Sequence, residues 1–365
     1  MKHFFQIVVT LFYFIFYCLH APAAEAALIG QKQEMQMGKA AAEQIEAHYG
    51  LYQDPVVEER IDRIGQSLAA VCERKDIQYT FKVLNTEEIN ALACPGGYIY
   101  VFKGLLDYMP TDAEIAGVLG HEIGHVVKRH TVKQIEKNMW TQLAAILAAI
   151  ASGDGDVLAM GMVVSDALAA GYSRADETQA DQEGFSYTVK AGYSPYAMFV
   201  TLKKLEELSL QSGNPGWGLF DSHPEPEQRL NKIRKLLASL NISPDVYIKE
   251  DGTAVVKETF SDGTWEFKIA RPGGGNTQEY RAELLAGALY QVKQKGPVIH
   301  SHFIVQDEGE KATIYYEDTQ LLTVYSEENA NFSEAGAYAN HCTALFRTWA
   351  EQLTKNKNIS HGQAS

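Results

Sequence analysis

The chain has 365 residues, 46% of them hydrophobic and 21% charged, and a net charge of -14. That length and balance describe a globular protein with a full core and room for two domains. The acidic charge argues against a nucleic-acid partner and against electrostatic adhesion to an anionic membrane surface.

Residues 1–26 read as a cleaved signal peptide. Lys2 gives a basic start, Phe4 to Leu19 is apolar, and "APAAEAA" supplies small residues, with cleavage favoured after Ala26. An uncleaved anchor is the alternative, disfavoured because the apolar run is short for a span. Beyond the leader stand Cys72, Cys94 and Cys342, an odd count. One disulfide plus a free thiol and three buried thiols are equally open.

"QKQEMQMGKAAAEQIEAH" (31–48) predicts a helix, and a second is expected from Pro55 to about Cys72. "IQYTFKVLN" and "YIYVF", the latter after the "PGG" turn at 95–97, read as strands. "TDAE" at 111–114 is a capping box that opens the next helix. Two apolar stretches follow, Trp140 to Ala151 and Val157 to Ala170, split by "SGDGD". Each is too short to cross a bilayer, so a helical hairpin packed on the core is preferred to membrane insertion. Further helices are expected over about 173–191, 195–208 and 225–240.

After "NISP" at 241–244 the pattern changes. Strands flank "DGT" at 251–253, follow "DGT" at 262–264 and surround "DEGEK", with helices over 277–295 and 333–353 and a flexible break at "PGGGN" (272–276). Residues 245–354 therefore read as a small α+β domain, and 355–365 as a disordered tail. No internal repeat is present.

The chemistry begins at "GVLGHEIGHVVKRH" (117–130). His121 and His125 leave the same helix face four residues apart and can share one ion, with Glu122 between them as general base toward a metal-activated water. Zinc suits two imidazoles and a carboxylate, with a fourth position open. His130 lies roughly 180° further round an ideal helix, which points it away. A third ligand must come from elsewhere. Glu177 in "SRADETQAD" (173–181) is the best candidate, with Asp181 as acceptor for a ligand imidazole N–H. From spacing alone, a solvated acidic helix is an equal alternative. Small residues, Gly117, Gly120 and Gly124 on one helix and Ser173, Ala180 and Gly184 on the other, suit a close approach of the two.

Four ordered stretches, "NALACPGGYIYVFKGLL", "HEIGH", "SRADETQAD" and "SHPEPEQRL" (222–230), together resemble the M48 family of zinc metallopeptidases, over roughly residues 30–240. The resemblance is to its soluble exported branch, related to bacterial periplasmic outer-membrane quality-control proteases. It implies a mostly helical, zincin-like α+β domain over 27–240 with a small sheet beside the active-site helix, and one Zn2+ held by His121, His125 and Glu177. Asp181 would support the ligands, and His223 would assist catalysis at the oxyanion or cap the zinc in a latent state. "GGYIYVF" would be the edge strand beside the cleft, able to align an extended peptide.

Arg229 is expected to hold a loop by a salt bridge, and Arg174 to be an interior arginine paired with a carboxylate. The hairpin at 140–170 would be a lid or wall over the cleft and would offer a peripheral membrane contact. Cys94 departs from the family's usual aliphatic residue. The expected function is a zinc-dependent endopeptidase acting on envelope or misfolded proteins. The alternative is a chaperone-like assembly or quality-control factor that uses the same cleft with little turnover. The C-terminal domain carries no motif and lacks the helical repeats of some family members.

Overall fold

The computed structural model describes residues 28–138, 157–212, 226–329 and 331–362. It opens with two helices, α1 (Gln31–Tyr49) and α2 (Pro55–Ala69). Asp54 caps α2 by accepting from the amides of Val56 and Val57, beside a first-turn proline. Ile61, Ile64 and Leu68, at helical spacing, are wholly buried.

Strands β1 (Thr80–Leu84), β2 (Ala91–Cys94) and β3 (Tyr98–Phe102) form one sheet in the order β1-β3-β2. This corrects the expectation that "GGYIYVF" is an edge. Pro95–Gly97 reverses the chain tightly, so "ALAC" pairs antiparallel with β3 on one side while β1 pairs parallel on the other. The outer strands are β1 and β2. The reversal depends on glycine at position 97, where φ is 94° and a Cβ would sit 2.6 Å from the Gln78 carbonyl oxygen.

After the short α3 (Lys103–Tyr108) comes α4 (Asp112–Lys128), started by the Thr111/Glu114 capping box. It ends at Arg129, whose backbone is left-handed (φ 56°, ψ 39°), and residues 130–138 continue as a separate helical segment. Then follow α5 (Val157–Ala169), α6 (Arg174–Lys190), α7 (Ala197–Ser212) and α8 (Pro226–Ser239). Val164 and Ala167 of α5 are buried with Met37 and Ile45 of α1, so this half of the expected apolar hairpin packs on the core. The other half lies outside the described residues. Among the described residues no helix is long and apolar enough to cross a membrane.

Two antiparallel three-stranded sheets make up the C-terminal region: β4 (Asp245–Ile248), β5 (Ala254–Phe260) and β6 (Gly263–Ile269), then β7 (Phe303–Asp307), β8 (Lys311–Tyr316) and β9 (Thr319–Tyr325). Between and after them lie α9 (Gln278–Gln294) and α10 (Ala335–Gly362). Trp265, Phe267, Phe303, Phe346 and Trp349 fill their shared core. Strand β9 was not foreseen: it follows β8 after only Glu317 and Asp318, with Glu317 at φ 53°, a turn without the usual glycine or asparagine signal. The final helix runs past Lys355, where a disordered tail was expected, to Gly362. The chain is α+β, mostly helical, as expected.

Candidate metal centre

The site is made where α4 and α6 pack antiparallel, at a distance that only small residues permit. A Cβ on Gly120 would lie 3.0 Å from the Gly184 carbonyl oxygen, and one on Gly124 would lie 2.8 Å from that of Ala180. One on Gly184 would meet the His121 amide nitrogen at 2.7 Å. Close backbones bring together side chains that project from facing helices. His121, Glu122, His125, Glu177 and Asp181 are all buried.

His121, His125 and Glu177 offer ligand atoms that lie within 4.8 Å of one another. The two Nε2 atoms are 3.0 Å apart, and Glu177 oxygens lie 3.3 Å from the His125 Nε2 and 3.6 Å from the His121 Nε2. Donors sharing a tetrahedral ion at bond lengths of about 2.0–2.1 Å stand roughly 3.3–3.4 Å apart, so the cluster has the spacing of a zinc site. Its donor set of two imidazoles and one carboxylate matches that ion as well.

The hydrogen bonds fix how each imidazole presents itself. His121 Nδ1 donates to Asp181 Oδ1 at 2.9 Å, leaving Nε2 bare toward the cluster. Burial alone would raise the Asp181 carboxyl, but the Arg229 guanidinium more than reverses this and holds it below the usual carboxylate range. Arg229 is itself buried, with Nε and Nη2 each 2.7 Å from an Asp181 oxygen and Nη1 2.9 Å from Glu177 Oε2. The expected salt bridge is present, but it is made to Asp181 and Glu177 and not to a loop.

His130 was expected to point away, and the structure corrects this. The helical count stops at Arg129, where the left-handed turn redirects the chain and folds His130 back beneath the site. It is 2% exposed, with Nδ1 3.0 Å from His125 Nδ1 and Nε2 3.0 Å from Gln179 Oε1. The network assigns one proton order: His125 Nδ1–H donates to His130, and His130 Nε2–H donates to Gln179. His125 therefore also turns a bare Nε2 toward Glu177. Burial pushes His130 below its ordinary value, which favours this neutral acceptor form.

Tyr172 was missed by sequence reasoning. Its ring stacks on His125 with centroids 3.8 Å apart, and its hydroxyl lies 2.8 Å from Thr131 Oγ1. The only signal was its place immediately before "SRADETQAD". Arg174, expected inside, is exposed, because it is the first residue of α6 and lies beyond the buried face. His223 lies outside the described residues. Cys94 is buried, its thiol pushed up by burial and by the Glu122 charge.

Glu122 lies on the wall of a cleft of about 620 Å³, together with Asn90 and Leu92 at β2, Tyr49, Leu168 and Tyr172. The described half of the apolar hairpin thus lines the cleft, as expected of a wall.

The model of peptidase family M48 matches residues 55–237. This chain belongs to family M48. It is 27% identical to the beta-barrel assembly-enhancing protease of Escherichia coli over 70% of this chain and 55% of that protein. It is 32% identical to the E. coli metalloprotease YcaL over 49% of this chain and 70% of that one. To the Arabidopsis thaliana mitochondrial metalloendopeptidase OMA1 it is 33% identical, over 48% of this chain and 34% of the relative. The chain spans about half the length of the first of these, and all three matches agree with an M48 unit.

Proposed function

We propose that the protein is a zinc-dependent endopeptidase that hydrolyses peptide bonds of misfolded or envelope proteins. The observation that carries this is the buried His121–His125–Glu177 cluster with Glu122 one residue from a ligand and on the wall of a cleft. His121, His125 and Glu177 would hold the ion. When bound, zinc supplies a Lewis acid that polarises a carbonyl and makes water acidic enough to attack near neutral pH.

The chain's own residues do the rest. Glu122 takes the proton of the attacking water and later gives it to the leaving amine. Asp181 and His130 hold the two imidazoles in the tautomers that leave Nε2 bare. Arg229 keeps Asp181 ionised and holds both carboxylates in place. Strand β2, at the sheet's outer edge beside the cleft, is where an extended substrate backbone would pair. His223 is proposed as an auxiliary group at the oxyanion or as a latent-state cap.

An exported location, with substrates in the cell envelope, is supported by the signal-like leader and by the name of the E. coli relative, which speaks of β-barrel assembly. The test is proteolysis of unfolded casein by purified protein, before and after chelation and on zinc readdition. Cleavage lost on chelation and restored by zinc is expected. Cleavage indifferent to both, or binding of casein without cleavage, would overturn the peptidase reading; the latter outcome is the holdase alternative.

A further inference from the structure

Among the described residues, a buried amide side chain of the C-terminal region hydrogen-bonds to the end of each of the two ligand-bearing helices. The first is Asn276, 3% exposed, in the "PGGGN" turn. Its Nδ2 donates to Glu114 Oε2 at 3.1 Å, and its Oδ1 accepts from Lys204 Nζ at 2.8 Å. Glu114 is the capping-box residue of α4, accepting from the Thr111 amide and hydroxyl on the same oxygen. Lys204 closes the set by donating to Glu114 Oε1 and to the Tyr108 carbonyl, both at 2.7 Å. The turn expected to be a flexible break is thus a plug in the N-terminus of the metal helix.

The second contact is Gln291 of α9, 5% exposed. Its Nε2 donates to the carbonyl of Val189, in the last turn of α6, at 2.9 Å, and to that of Tyr193 at 2.8 Å. Helix α4 carries His121 and His125; α6 carries Glu177. Because the two helices are antiparallel, the N-terminus of one and the C-terminus of the other lie at the same end of the pair, away from the metal cluster. A single domain holds both.

We infer that the C-terminal domain is a clamp that sets the axial register of α4 against α6, with Asn276 and Gln291 as its positioning residues. The physical reason is that the metal cluster takes ligands from both helices. A slide of one along the other moves Glu177 relative to the two imidazoles. Side chains tie the helices to each other, His121 to Asp181 and Lys128 to Glu183 near the cluster and Thr188 to the Ala116 carbonyl further along, and the C-terminal region adds a hold on their far ends. Two buried amides, each bonding to the end of a different ligand helix, do so without touching substrate. The inference rests on the metallopeptidase reading for its consequence, though not for the clamp itself.

The test compares wild type with Asn276→Ala, Gln291→Ala and the double variant. Phe346→Leu serves as a control that loosens the C-terminal core and leaves both amides in place. Two readouts are taken: zinc affinity by chelator competition, and amide exchange of residues 112–118 and 186–191 in metal-free protein. The double variant is expected to weaken zinc binding roughly tenfold, the lower range for groups that support ligands indirectly. Exchange at both helix ends should quicken, while the control changes neither. Each single variant should shift the same way by less, so the test survives a double variant that does not fold. Unchanged zinc affinity and exchange in the amide variants, or equal changes in the control, would overturn the clamp. If wild type binds no zinc, the metallopeptidase reading falls, and the exchange data alone decide whether the clamp stands.

Discussion

At the scale of single residues, the site is a set of imidazoles held in order by their neighbours. Asp181 orders His121, and His130 orders His125. Replacing His130 with Ala should therefore weaken zinc binding on the order of ten- to a hundredfold without unfolding the protein, as loss of a ligand's supporting partner does. Chelator competition measures it; a His130→Ala protein that binds zinc like wild type would show that His125 needs no such partner. His121, Glu122 and His125 share one uninterrupted helix, whose spacing puts both imidazoles on one face; for Glu177 and Asp181 spacing left a solvated acidic helix equally open, and the family resemblance singled them out. His130 was not legible in the sequence, because the spacing rule ends at Arg129, a non-glycine residue in a left-handed conformation that composition does not announce. Tyr172 was not, because stacking on a ligand ring leaves no periodic trace.

At the scale of elements, the approach of α4 to α6 decides whether the three ligands meet. Gly124→Ala would place a Cβ 2.8 Å from the Ala180 carbonyl oxygen and 2.9 Å from its Cα, backbone atoms that cannot swing aside. It should push the helices apart and lower both zinc affinity and thermal stability, the latter by roughly 1–3 kcal/mol, as overpacking does. A Gly124→Ala protein with unchanged zinc affinity would mean that the helices have slack. The glycines were readable in advance as clearances for a second helix. The sheet was read less well. Strand β2 was hidden in a motif of small residues with no alternation, so β3 was given the edge that β2 holds.

Helix α9 carries a different load. Glu283 is buried, and burial raises its carboxyl to about 7; Lys203 and Arg234 oppose this and Glu279 adds to it. A folded-state value above the ordinary 4.5 means that the folded protein binds the proton more tightly than the unfolded chain. Stability from this group is therefore full below about pH 4.5 and is lost as pH rises through about 7. Glu283→Gln should be more stable than wild type at pH 8, by on the order of 3 kcal/mol, with the difference vanishing near pH 4. Denaturant melts at the two pH values measure it, and parallel stabilities would contradict the assignment.

At the scale of the whole molecule, the chain joins an M48 unit to a C-terminal α+β region whose presence was legible and whose role was not. The pattern changes after "NISP", but hydrogen bonds between the two sides, such as Asn276 to Glu114, leave no mark in either segment alone. Among the described residues the cysteines, open between two states from their count, are three buried free thiols. Burial pushes Cys342 up to about 12 and Cys94 higher still. A chain lacking the leader should show no fast-reacting thiol when native and three when denatured without reductant. Two thiols fewer on denaturation would reveal a disulfide.

The central claim is that His121, His125 and Glu177 hold zinc and that Glu122 moves the proton. Metal content and casein cleavage, measured together on wild type and Glu122→Gln, address it most directly. One zinc per chain in both proteins is expected, with cleavage lowered at least roughly a hundredfold in the variant, the scale of a lost general base. A variant that keeps its zinc and still cleaves at the wild-type rate, or a wild type that cleaves without holding zinc, would contradict it.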